Sequence, residues 1–268
     1  MQPRGQVGHA GATVHPPAKD PGGARLLSAI AEEIEPMMLK DLAQVAGFAP
    51  AQAHAYLVSY RRIGLIEQDE DTGRYRLGRF ALGLGITSMR TTDAMSLANE
   101  AIVDLAERTA LHVALVVWGS FGPTVVFVRE SGSQLNMNTR PGTVYSMTGT
   151  ASGRVFSAFL PEGTVKAAIA QERRETADSG RVGTYRFMTR KEMDHIREVG
   201  YATVDAPPIP GISAYAAPVF DHAGQMVMAI TIIGQDVYLE EKAEEEFIPA
   251  LLETAQTLSS ELGYMPTH

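Results

Sequence analysis

Apolar residues recur at helical spacing three times in the first third of the chain. Leu26, Leu27, Ile30 and Ile34 predict a helix over 24–34. Leu39, Leu42, Ala43 and Ala46 predict a second, which Gly47 ends. Pro50 suits the first turn of a third helix, where a missing N–H costs nothing. That helix runs to about Ile63, with Ala53, Tyr56, Leu57, Tyr60 and Ile63 facing inward and Gly64 as its stop. Leu65-Ile66, a turn at Asp71-Thr72-Gly73, and Tyr75 with Leu77 then read as a β-hairpin. Three short helices with a tight Gly-containing turn before the third, followed by a hairpin, describe a winged helix-turn-helix. Any three-helix bundle with a hairpin shows the same periodicities. Residues 1–22, with several Gly and Pro and little that packs, read as a disordered tail.

From Leu77 to Ala110 the pattern is helical, with a break near Thr91-Thr92. Ala94, Leu97, Ala98, Ala101, Ile102 and Leu105 form a clean amphipathic stripe. The preceding half carries Phe80, Leu84 and Met89, but also Gly83 and Gly85, which weaken an isolated helix by about 1 kcal/mol each. It reads as a linker helix held by partner contacts. Strand patterns follow at His112 to Trp118, Thr124 to Val128 and around Leu135 to Thr139. Helices are expected from Thr150 to Phe159, from Pro161 to Gln171, and over Thr189 to Val199, which opens on the capping box Thr189-Arg190-Lys191-Glu192. Residues 172–188 read as irregular. Strands at Ala214 to Phe220 and Met226 to Ile233 precede one long closing helix, Tyr238 to Leu262. The mixture predicts an α+β domain with a mainly antiparallel sheet.

Charge sharpens this division. The chain of 268 residues has a net charge of -8. Residues 1–90 hold ten Lys and Arg against nine Asp and Glu, whereas residues 91–268 hold 13 against 22. The acidity therefore sits in the C-terminal two-thirds, and the N-terminal third is free to carry a basic face. There is no cysteine, which excludes disulfides, thiol nucleophiles and Cys-ligated metal and fits a cytoplasmic protein. No stretch approaches the roughly 20 apolar residues that span a bilayer.

Catalytic signatures are missing. Gly83-Leu84-Gly85 follows no strand, Ser152-Gly153 is half of a nucleophile elbow, and no two of the seven His stand at helical metal spacing. No catalytic residue, cofactor or metal is expected. The third predicted helix offers another chemistry. Its outward positions include Gln52, His54, Ser59, Arg61 and Arg62. Gln52 is suited to a bidentate pair with adenine, and His54 to a base or a phosphate. Arg61 and Arg62, with Arg74 and Arg76 of the hairpin, are suited to phosphates, which set register rather than sequence. Taken alone, such a face is more often simply that of a solvated helix.

Several motifs stand in a fixed order. Leu42-Ala43, Gly47, His54, Leu57, Gly64-Leu65-Ile66 and Tyr75-Arg76-Leu77-Gly78 lie in the first part. Pro141-Gly142-Thr143, Thr150-Ala151-Ser152-Gly153-Arg154, Gly200-Tyr201, Gly211-Ile212, Ala216-Ala217-Pro218-Val219, Asp221 and Gly234 follow. From about Ala24 to its end the chain resembles the IclR family of bacterial transcription regulators, where the motif at Thr150 to Arg154 usually ends in Lys. The resemblance implies a winged helix-turn-helix over 23–78, a linker helix over 79–92 and a GAF-like effector-binding domain over 93–268. It implies a homodimer or dimer of dimers on a pseudo-palindromic DNA operator, and a small organic acid as effector. By position, Ala151, Ser152, Asp205, Ala214 and Thr231 would line the effector pocket. For Ser152 a plain helix-cap role is the alternative.

Departures from the family pattern bear on the effector. Asp205 is followed by Ala206-Pro207-Pro208-Ile209-Pro210 where acidic residues are usual, and Ile233 stands where a small hydroxyl residue is common. Met147 adds polarizable surface near the helix start. These changes favour an aromatic acid, with Met147, Pro207, Ile209 and Ile233 against its body. Ala51 and Ala55 replace positions that are often polar or basic, and the wing tip is acidic. A small-molecule-binding protein or an enzyme, with another use for the N-terminal domain, is the competing expectation.

Overall fold

A computed structural model describes residues 23–33, 35–131, 139–178, 187–204 and 209–266. The chain divides into two compact units at Thr91/Thr92.

The first unit begins with three helices, α1 (Ala24–Glu32), α2 (Leu39–Ala46) and α3 (Pro50–Arg62). Leu26, Leu42 and Leu57, one from each helix, are fully buried together with Ala53, Ile66 and Tyr75. Ile63 is the exception to the expected inward face. It caps α3 rather than continuing it, and stands 58% exposed. Strands β1 (Ile66–Gln68) and β2 (Tyr75–Leu77) pair antiparallel as the hairpin. A helix, α4 (Arg79–Thr91), follows. The tail at 1–22 and Ile34 lie outside the described residues.

The second unit opens with α5 (Ala94–Thr109), capped by Asp93. A four-stranded antiparallel sheet follows, built from β3 (His112–Gly119), β4 (Gly122–Arg129), β5 (Ile212–Phe220) and β6 (Met226–Gln235) in the order β4-β3-β6-β5. Register decides which residues meet which layer. Leu115, Ile230, Ile232, Ala217 and Val219 face α5 and the C-terminal helices. Ala114, Val116, Ala216, Ala229 and Ile233 face the other way, against α6 (Ala151–Phe159) and α8 (Arg190–Val199).

Helix α7 (Glu162–Asp178) runs beyond Gln171 into the segment expected to be irregular. Neighbours one turn apart support the extension, as in the bond from Gln171 to Glu175 at 2.9 Å. The closing helix is not continuous. It is α9 (Asp236–Glu241), a π-helical turn (Ala243–Phe247) and α10 (Ile248–Glu261). Pro249 opens α10 and has no N–H for the preceding turn, so the backbone there departs from the regular ladder. Most of the strand expected at Leu135 to Thr139 falls outside the described residues.

Candidate functional site

In the first unit, α2 and α3 are joined by a three-residue turn. Gly47 adopts φ 70°, a conformation that favours glycine, and the Phe48 N–H bonds back to the Ala43 carbonyl at 2.8 Å. Pro50 then starts α3, which contains no acidic residue. Gln52, His54, Ser59, Arg61 and Arg62 are all exposed. They do not share one orientation: Gln52 and Ser59 flank one side of the outward face, His54 and Arg61 the other.

The hairpin arginines are exposed but engaged. Arg76 pairs with Glu67 at 3.2 Å, Arg74 donates to the Pro36 carbonyl at 2.8 Å, and Arg61 reaches from α3 to Gln68 at 2.7 Å. Surface pairs of this kind contribute little, so they hold these guanidinium groups only weakly. The turn is closed by the Asp69 carboxylate, which accepts from the backbone N–H and hydroxyl of Thr72. Those bonds hold Asp69 below the usual carboxylate range. Gly78 packs onto the backbone of Gly64 and Ile66, leaving no room for a side chain where the hairpin closes.

In the second unit a cavity of about 80 Å³ lies between the start of α6 and the sheet. Ala151 and Ser152 come from α6, Ala214 from β5, and Thr231 and Ile233 from β6. All five were expected from the sequence to stand together, and they do. Residues not foreseen also line it: Thr139, Tyr145, Thr150, Val204 and Ile212. Ile212 was readable, because it lies two residues before Ala214 on the same strand face. Tyr145 and Val204 belong to loops and carry no periodic signal. Asp205 and Pro207 lie outside the described residues. Met147 does not reach this cavity. Its side chain packs with Val165 and Ile169 of α7, in a separate cleft. Its N–H donates to Glu172 of α7 at 3.0 Å, which turns the residue away from the sheet.

The helix start is held by a compact set of bonds. The Thr150 hydroxyl accepts from the Gly153 N–H at 3.0 Å and donates to the Ser146 carbonyl at 2.7 Å. Thr150 is therefore the cap, and the cap role considered for Ser152 does not apply. Ser152 is fully buried, its hydroxyl 2.8 Å from that of Thr231 on the central strand. The N–H groups of Ala151 and Ser152 have no acceptor among the described residues. Arg154 anchors the far side, donating to the Thr203 carbonyl at 2.8 Å and lying 3.6 Å from Glu192 of α8.

The cavity wall is mostly apolar with several hydroxyls. Among the described residues Tyr145 is its only titratable member, and burial pushes that phenol up. The described residues contain no group of three His, Asp or Glu placed to hold a metal, and no helix long and apolar enough to cross a membrane.

Two family models match the chain. One, described as bacterial transcriptional regulator IclR C-terminal, covers residues 86–260. The other, the IclR helix-turn-helix domain, covers residues 23–70. The glycerol operon regulatory protein of Streptomyces coelicolor is 30% identical over 230 residues, covering 84% of this chain and 88% of that protein. A probable HTH-type transcriptional regulator, ArcR, of Halobacterium salinarum is 27% identical over 227 residues, covering 82% and 84%. The crystal structure of Pseudomonas aeruginosa HmgR superposes with a TM-score of 0.79 at 29% identity, covering 91% of this chain and 98% of that one.

Proposed function

The chain belongs to the IclR family of bacterial transcriptional regulators, with a DNA-binding helix-turn-helix and a C-terminal effector domain, and on that premise we propose that it binds a pseudo-palindromic operator under the control of a small aromatic carboxylic acid. The carrying observation is the pair of buried N–H groups at Ala151 and Ser152. Both residues line a cavity whose described wall holds no cation. A carboxylate there meets two donors and the positive end of the α6 dipole. The second unit is acidic, so long-range attraction contributes nothing and the site relies on this local field. Ile209, Ile212 and Ile233 supply the surface for a ring.

Volume favours a second reading. A cavity of about 150 Å³ is the size that holds benzene, while this one measures about 80 Å³. An acid of two or three carbons matches that volume more closely than a ring does. A thermal-shift screen of aromatic acids against glyoxylate and pyruvate separates the two. The aromatic reading expects stabilisation of roughly 2.7 kcal/mol at a hundredfold excess over Kd, and Ser152→Trp should abolish it. Stabilisation by the short acids alone would refute the aromatic effector. An undiminished shift in Ser152→Trp would place the site elsewhere.

An enzyme would need convergent acids and bases, and among the described residues that line this cavity Tyr145 is the only titratable one. On DNA, Gln52 is the candidate hydrogen-bonding base reader and Arg62 a phosphate contact. Binding should weaken steeply with salt, because phosphate neutralisation releases counterions. Gln52→Ala should cost about 1–3 kcal/mol on the specific site, whereas Arg62→Ala should weaken all sequences alike. Equal losses on specific and random DNA for Gln52→Ala would remove its reading role.

Assembly follows from α4. Phe80, Leu82, Leu84 and Ile86 are each 47–65% exposed, and they occupy opposite sides of the helix. A Cβ added at Gly83 or Gly85 would meet nothing within 4 Å, so a second helix has room to approach. We expect this helix to form part of a symmetric dimer interface, which hides an apolar surface that water would otherwise contact. Light scattering at micromolar concentration should report a dimer or tetramer. A monomer, with and without DNA, would contradict it.

A further inference from the structure

The outward face of α3 has a composition that hydrogen-bond readout alone does not explain. Ala53 and Leu57 are fully buried, and Tyr56 and Tyr60 are half-buried beside them. Directly opposite, at steps of four, three and four residues, stand Ala51, Ala55, Val58 and Arg62, all exposed. The ridge that points straight away from the core is therefore two methyl groups, an isopropyl group and, at its C-terminal end, a guanidinium. No acidic residue interrupts it.

The polar neighbours do not rise above this ridge. The Ser59 hydroxyl is folded back onto the Ala55 carbonyl at 3.2 Å. Arg61 is drawn sideways to Gln68 of the hairpin at 2.7 Å. Gln52 and His54 remain, one on each flank of the N-terminal half.

A recognition helix reads bases mainly with its N-terminal residues. Of those residues, the two that point straight outward are Ala51 and Ala55, whose side chains neither donate nor accept a hydrogen bond. They are also short, so the helix backbone can sit close to the groove floor. The apolar feature that the major groove presents is the C5-methyl group of thymine. We infer that Ala51, Ala55 and Val58 read thymine methyl groups, so that the centre of each operator half-site is A·T-rich, with Gln52 on a neighbouring adenine. The inference rests on the regulator reading above. It assigns to Ala51 and Ala55 a positive role in specificity, where their lack of polar groups at first suggests only a loss of contacts.

The test begins with selection from random duplex DNA by the full chain, alone and with the acids of the thermal-shift screen. An enriched half-site with at least two adjacent A·T pairs is expected. Deoxyuridine then replaces thymine at each of those positions, which removes the methyl group and nothing else. Affinity should fall about fourfold for each methyl lost, the effect of withdrawing one group of that size from an apolar contact. In Ala55→Ser, with helix content unchanged by circular dichroism, the response to deoxyuridine should vanish at one position and persist at the others. Unchanged affinity after replacement of every thymine, or an enriched site with a G·C centre, would overturn the inference and leave the regulator reading standing. Selection that enriches no sequence under any of these conditions would overturn both.

Discussion

Gly153→Ala should lower the unfolding free energy of the second unit by about 3 kcal/mol, the upper end of what is usual when atoms are forced into filled space. A Cβ at this position would press on the Ser146 carbonyl oxygen and lie 2.7 Å from the Cα and carbonyl carbon of Met147. These are backbone atoms, so no side-chain rotation relieves the contact. Either α6 lifts from the 146–147 segment or that segment retreats. Both routes disturb the bond from the Thr150 hydroxyl to the Ser146 carbonyl, which secures the helix start. Trp118, the single tryptophan, lies on β3 and reports this unit's unfolding in denaturant. Gly163→Ala is the matched control. Gly163 sits in α7 with nothing within 4 Å of an added Cβ, and alanine there should stabilise by about 0.5 kcal/mol. Equal effects of the two substitutions would show that close packing at Gly153 is not what requires glycine.

Phe156→Ala should cost about 3–5 kcal/mol, because it removes a large buried ring and leaves a void that the surroundings only partly fill. Phe156 is fully buried on the face of α6 that meets the sheet, with its ring centroid 5.7 Å from that of Trp118. It shares its cluster with Val116, Val125, Val155 and Ala216. Phe156→Leu keeps most of the volume and should cost less than about 1.5 kcal/mol. Because Ala151 and Ser152 ride on the same helix, the alanine variant should also show a smaller effector-induced stabilisation. Denaturation followed by circular dichroism avoids the change in the surroundings of Trp118. If alanine costs no more than leucine, Phe156 is not what seats α6 on the sheet.

Local pattern carried much of the fold. The boundaries of α2 and the start of α3 follow from Leu39, Gly47 and Pro50, and the capping box at Thr189 and Glu192 forms as its spacing implies. The break in the closing helix went unseen, although Pro249 stood in the sequence. A proline near a helix start is ordinary, and only the structure shows the π turn that stands before it. Site residues divide in the same way. Ala214, Thr231 and Ile233 were reached by position, through the resemblance to the family. Met147 was misplaced into the cavity by its nearness in sequence to Thr150, since nothing local reveals that Glu172 and Ile169 of α7 hold it on the other side.

What the sequence determined alone is most of the elements and, Ile63 apart, the face that the first three helices bury, because periods of 3.6 and 2 are imposed by backbone geometry within a few residues. What only the tertiary structure decided is which of those faces share a cavity. Ser152 and Thr231 are 79 residues apart, yet their hydroxyls lie 2.8 Å from each other. The same holds for Gly153, which sequence marks as part of a motif. Its requirement for glycine arises from the backbone of Ser146 and Met147 folded against it. Contacts of this kind depend on strand order, register and helix seating together, and no short stretch of the chain contains them.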